Sequence, residues 1–136
     1  MTFTVRRLAV TLAITALFTL SELARAHHSF AAEFDADKPV QITGAVTKVE
    51  WMNPHARFYI DVKDAQGNVV NWNIELGPPL VLKRLGWRQD SLKIGDQVTV
   101  EGYSAKDGSK MANAKKVTLA DGRSVFNGPQ EGRPTQ

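Results

Sequence analysis

The chain has 136 residues, enough for one domain, with 17 Lys and Arg residues against 14 Asp and Glu residues. It contains no cysteine, which excludes a disulfide framework and thiolate metal sites.

Residues 1–26 have the pattern of a cleavable signal peptide. Two arginines precede an uncharged apolar run over 8–20, and Ala24-Arg25-Ala26 supplies the small residues of a cleavage site. The apolar run is shorter than the roughly 20 residues that span a bilayer core. We therefore expect export to the periplasm of a Gram-negative bacterium, with no stable membrane anchor after cleavage.

Removal of this leader leaves 14 basic and 13 acidic residues in the mature chain. Binding to phosphate groups needs clustered positive charge, and the mature sequence has no such cluster. The sequence therefore predicts no nucleic-acid partner.

The mature chain is predicted to begin with a polar arm over 27–38, followed by a β-rich domain over 39–127. Apolar residues alternate in five stretches, at about 40–51, 58–62, 70–76, 97–103 and 111–119. The phase of the first stretch changes between Gly44 and Lys48, which predicts a bulge or bend. The one short helix predicted, Leu80–Leu85, follows two prolines and ends before Gly86. Residues 128–136 form a polar tail that we expect to be disordered.

Three strands, a short helix and two strands follow the order of an OB-fold, a five-stranded Greek-key barrel. Residues 125–126 could add a short closing strand. The sequence therefore predicts an all-β domain with one helix. A small β-sandwich is the alternative.

The three histidines suggest a metal site. Cleavage after Ala26 would make His27 the N-terminal residue, so that its α-amine and imidazole could chelate one ion, with His28 beside it. His55 lies in the loop between the first two strands, with Met52 nearby as a weaker thioether ligand. Nitrogen ligands favour copper among divalent ions, which makes copper the candidate cofactor.

A second hypothesis is a ligand or partner face formed by Trp51, Arg57 and Tyr59. Tyr59 lies on the polar phase of its strand and could present a stacking surface. This reading predicts an accessory module that contacts an unknown envelope protein or small ligand, without a metal. An enzyme is the least favoured reading because no serine has a nucleophile context and no catalytic residue can be named. Asp61 and Glu75 are interpreted as carboxylates on a solvated sheet face.

Several blocks of sequence resemble one family. They are His27-His28-Ser29-Phe30, Trp51-Met52-Asn53-Pro54-His55-Ala56-Arg57, the stretches 72–77 and 95–103, and the turn Asp121-Gly122-Arg123. These blocks are similar to those of a family of small exported Gram-negative proteins, domain of unknown function 6152. The resemblance covers nearly all of the mature chain. It implies a periplasmic location and an intact domain, and it implies no activity.

Overall fold

The computed structural model describes residues 29–128. The predicted signal peptide, His27, His28 and the predicted tail beyond Gly128 lie outside the described residues. The chain divides into two compact units, residues 1–33 and 34–136. The described part of the first unit is one short helix, α1 (Ser29–Glu33).

The second unit is built from strands. They are β1 (Phe34–Glu50), β2 (Arg57–Lys63), β3 (Val69–Glu75), β4 (Gln97–Ala105), β5 (Met111–Leu119) and β6 (Ser124–Asn127), with helix α2 (Pro79–Arg84) between β3 and β4. Strand β1 starts before Pro39, where the apolar alternation begins. Phe34 pairs with Ala105 and is buried, so one apolar side chain anchors a stretch that otherwise looks like a polar arm.

The sheet closes on itself. Its strand order is β3-β2-β1-β4-β5-β6, and β3 also pairs in parallel with β5. The parallel contact joins Asn73 to Met111 and Glu75 to Asn113. Five strands therefore form a barrel, and β6 is added outside it along β5. This closure confirms the all-β, OB-like fold and does not match an open two-sheet sandwich.

The long first strand bends, and it pairs with a different strand on each side of the bend. Its first part pairs with β4 and its last part with β2, and the β2 register shifts between Val46 and Lys48. A Cβ atom on Gly44 would lie 2.4 Å from the backbone oxygen of Asp61. The bend predicted from the change of phase is therefore present, and a glycine permits the close approach of two strands beside it.

The barrel interior is filled by the apolar phase of each strand. Its fully buried side chains include Val46, Phe58, Ile60, Ile74, Leu82, Val98, Val100 and Val117. Leu82 reaches this core from α2, so the helix closes one part of the barrel. The opposite phase of β2 and β3 faces outward and carries the polar side chains. No described helix has both the length and the apolar character needed to cross a membrane.

Candidate functional site: a buried carboxylate beside His55

The outward face of β2 and β3 contains a buried charged residue. Glu75 is 4% exposed although it lies on the polar phase of its strand. The β2–β3 register places it directly opposite Arg57, and the ladder continues by a hydrogen bond from the Leu76 N–H to the Ala56 carbonyl. That continuation holds His55 beside the same carboxylate.

Glu75 binds two cationic or potentially cationic side chains with separate oxygens. Arg57 donates from Nη2 to Oε2 at 2.6 Å, and His55 Nδ1 lies 3.2 Å from Oε1. Arg57 also points a second nitrogen at the sulfur of Met111, at 3.6 Å. A buried carboxylate is tolerated only when it is paired and hydrogen-bonded, and these contacts meet that requirement.

The contact with Glu75 involves one of the two ring nitrogens of His55, which bears on the nitrogen that is left to bind a metal ion. An ionised carboxylate only accepts hydrogen bonds, so a hydrogen bond across this contact would place an imidazole proton on Nδ1 and leave Nε2 as the second ring nitrogen. Histidines that bind metals usually donate their other N–H to a carboxylate or carbonyl, which fixes the tautomer and the ring orientation. The position of Glu75 beside Nδ1 therefore leaves Nε2 as the nitrogen that a metal ion could reach.

A second cluster lies next to the first on the same face. Glu50 ends β1 opposite Arg57, accepts a hydrogen bond of 3.0 Å from the Tyr59 hydroxyl and is paired with Lys48. The Lys48 ammonium also lies 5.2 Å from the centre of the Tyr59 ring. Arg57 thus lies in one cross-strand row between two carboxylates, and it donates hydrogen bonds to Glu75 and Met111.

The contacts within this second cluster shift the pKa values of its own side chains. The hydrogen bond from Lys48, followed by that from Tyr59, holds the pKa of Glu50 below its ordinary value. The same bond raises the pKa of Lys48. Burial raises the pKa of Tyr59, and its hydrogen bond to Glu50 adds to the rise. Each shift favours the observed pairing of a carboxylate, an ammonium and a neutral phenol.

The structure separates the residues of the predicted partner face. Arg57 and Tyr59 both lie outward on β2, but each is engaged by a carboxylate. Trp51 packs against the hydrophobic core and lines a cavity with residues that follow α2. The partner face stays a prediction, with its three residues in different surroundings.

The predicted metal ligands are only partly within the described chain. His55 is 29% exposed at its side chain, and Met52 is 54% exposed in the same loop. Within residues 29–128, no group of three or more His, Cys, Asp or Glu side chains is arranged to hold a metal ion. The three-histidine site therefore stays a prediction.

Sequence reasoning missed the role of Glu75. Its position on the polar phase suggested a solvated carboxylate, whereas the neighbouring strand and loop cover it. A signal was available, because the turn over residues 64–68 fixes the hairpin register in which Lys63 faces Val69. Counting back along that register pairs Arg57 with Glu75. Asp61, the other carboxylate considered, instead accepts a hydrogen bond of 2.7 Å from Asn71.

Comparisons with known proteins give a family and several similar folds. The model of a family of unknown function, DUF6152, matches residues 15–114. No curated protein matches the chain.

Similar solved structures include forms of Rim1, a mitochondrial single-stranded DNA binding protein from S. cerevisiae. One Form 2 structure is 16% identical, covering 61% of this chain and 93% of that chain with a TM-score of 0.47. A Form 1 structure is 17% identical, covering 68% and 98% with a TM-score of 0.46. The sequence-based prediction of no nucleic-acid partner is contradicted by these matches to single-stranded DNA binding proteins, and it is not retained. It rested on the near-neutral charge of the mature chain and on the lack of a basic cluster in its sequence.

Proposed function

Because the chain belongs to the DUF6152 family, a membership that assigns no activity, we propose its function from the site: a periplasmic binding domain for a transition-metal ion, with copper as the first candidate. The observation that carries the proposal is the buried Glu75 carboxylate 3.2 Å from Nδ1 of His55. Such a carboxylate orients an imidazole and leaves Nε2 as a metal ligand.

The site supplies an imidazole nitrogen as the metal donor, and Arg57 is paired with the Glu75 carboxylate beside it. Imidazole nitrogen binds copper, nickel and zinc, and copper is the strongest of these in the usual affinity order. The exposed Met52 thioether in the same loop is a soft group that suits cuprous ion.

The N-terminal histidines enter the proposal from the sequence alone. Cleavage after Ala26 would give His27 a free α-amine, which with its imidazole makes a bidentate chelate, and His28 offers another nitrogen. The signal sequence over 1–26 supports both the cleavage and the periplasmic location. Mass spectrometry of the protein recovered from the periplasm should find His27 as its first residue.

Isothermal titration calorimetry with Cu²⁺ tests the proposal on the processed protein. His55→Ala should weaken binding, and Glu75→Gln should weaken it about 10- to 100-fold, because the amide has one acceptor oxygen where the carboxylate offers separate oxygens to Arg57 and His55. Acetylation of the His27 α-amine should also weaken binding, since it removes the amine donor of the amine–imidazole chelate. Arg123→Gln, on a turn far along the chain, is the control and should change nothing.

The outcomes separate the parts of the proposal. Unchanged affinity in both His55→Ala and Glu75→Gln would contradict the role of His55. Unchanged affinity in the acetylated protein would contradict the terminal chelate. Circular dichroism of each variant shows whether a loss of binding reflects a loss of fold.

A further inference from the structure

A cavity of about 490 Å³ opens beside the segment that follows α2. Its volume lies in the range of pockets that bind small organic molecules. It is lined by Trp51, Lys83, Gly86, Trp87, Arg88 and Gln89. The residues of the proposed metal site do not line it.

Two tryptophans give the cavity aromatic walls. Trp51 is half-buried and packs against the core, while Trp87 is 4% exposed. The Trp87 ring meets Phe126 edge-on, with centroids 5.6 Å apart and planes at 86°, and its backbone N–H is bonded to the Leu82 carbonyl. These contacts fix the Trp87 ring, so an aromatic ligand would meet a preformed surface. The Trp87 indole N–H is buried and has no hydrogen-bond partner in the described chain.

The charged residues of the cavity are both cationic. Lys83 is in the last turn of α2, and Arg88 follows Trp87; both are exposed. Within the described range neither forms an ion pair, and no acidic residue lines the cavity. The Arg88 backbone N–H is held by the Ser91 hydroxyl at 2.9 Å, which fixes the chain where the guanidinium begins. Two unpaired cations beside aromatic walls attract an anion that also has an apolar ring.

We propose that this cavity binds a small aromatic anion, such as an aryl carboxylate or sulfonate. Its ring lies against Trp51 and Trp87, and its charged group is bound by Lys83 and Arg88. The site is separate from His55 and Glu75, so the proposal stands or falls independently of metal binding.

A pair of dyes tests the ligand class on the whole folded protein. Anilinonaphthalene sulfonate is an aromatic anion, and N-phenylnaphthylamine has the same rings without the sulfonate. We expect the anionic dye to bind more tightly than the neutral dye and to quench tryptophan fluorescence. The measurements use a Trp72→Phe background, because Trp72 is the one tryptophan outside the cavity lining. Equal affinity of the two dyes, or no binding of the anionic dye, would overturn the proposal.

Substitutions then locate the dye. Lys83→Gln and Arg88→Gln should each weaken the anionic dye about two- to fivefold, the effect expected of one partly exposed charge pair. The neutral dye should be unaffected by either change. Arg84→Gln removes the same charge from the next residue of α2, which does not line the cavity, and should leave both affinities unchanged. A loss in Arg84→Gln equal to that in Lys83→Gln would show that the dye senses overall charge, which would also overturn the proposal.

Discussion

Glu50 and Glu75 occupy the two ends of one cross-strand row, with Arg57 between them. Each carboxylate contacts two neighbouring side chains, which are Lys48 and Tyr59 at Glu50 and Arg57 and His55 at Glu75. They differ in exposure, since the side chain of Glu50 is 21% exposed and that of Glu75 is 5% exposed. We therefore expect burial, more than the number of contacts, to decide what each carboxylate contributes to stability.

The largest effect is expected from removing the buried carboxylate. Glu75→Ala should lower the free energy of unfolding by about 3 kcal/mol, the lower end of the range for breaking a buried pair, because Arg57 and His55 keep some contact with water. Urea unfolding measures this change. Glu101→Ala is the control, since Glu101 forms an exposed pair with Lys116 at 3.3 Å. The control should lose less than about 1 kcal/mol. Equal losses in the two variants would contradict the importance of burial.

A double-mutant cycle should isolate the pair itself. Arg57→Met keeps the apolar stem of the side chain and removes the guanidinium, and Glu75→Gln removes the charge of its partner. We expect a coupling of about 1–2 kcal/mol between the two changes, measured by urea unfolding. A coupling near zero would mean that the 2.6 Å contact between Arg57 and Glu75 contributes no net interaction energy to stability.

The second cluster, formed by Lys48, Glu50 and Tyr59, should make the stability of the protein depend on pH. The pKa of Glu50 is lowered in the fold, so its contribution is present above the ordinary value of 4.5 and is lost as the pH falls through the folded pKa. The pKa of Tyr59 is raised, so its contribution is present below the ordinary value of 10.0 and is lost as the pH rises through the folded pKa. The stability difference between wild type and Glu50→Gln should therefore be greatest between these limits.

Thermal unfolding at about pH 3, 7 and 11 measures this difference. A spectrophotometric titration should also show a lower pKa for Tyr59 in Glu50→Gln, although burial should keep it above the ordinary value. Tyr59→Phe provides the control that identifies the titrating phenol. A difference that stays constant across the pH range would contradict the coupling.

The smallest effect is expected from salt. The contact between Lys48 and Glu50 is open to water and should be screened, whereas the buried contact between Arg57 and Glu75 should change little. Raising the ionic strength should therefore shrink the Tm difference between wild type and Lys48→Gln. The same change should leave the difference between wild type and Glu75→Gln nearly unaltered. If salt changed the two Tm differences equally, the two contacts would not differ in how strongly salt screens them.

Much of the fold could be predicted from local sequence. Alternation gave the strands, the two prolines and Gly86 marked the short helix, and the phase change in the first strand indicated its bend. These features depend on residues that are close in the chain. The start of β1 at Phe34 could not be predicted in this way, because Phe34 is fixed by pairing with Ala105, about 70 residues later.

In the candidate site, too, some features follow from local sequence and others depend on residues that are distant in the chain. By itself, the sequence determined that His55 lies in the loop before β2 and that Arg57 and Tyr59 share the polar phase of that strand. Only the tertiary structure decided that Glu75 is buried, that it holds His55, and that Trp51 lines a cavity instead of joining Tyr59. Alternation specifies the two faces of a strand, but exposure on either face depends on which distant residues cover it.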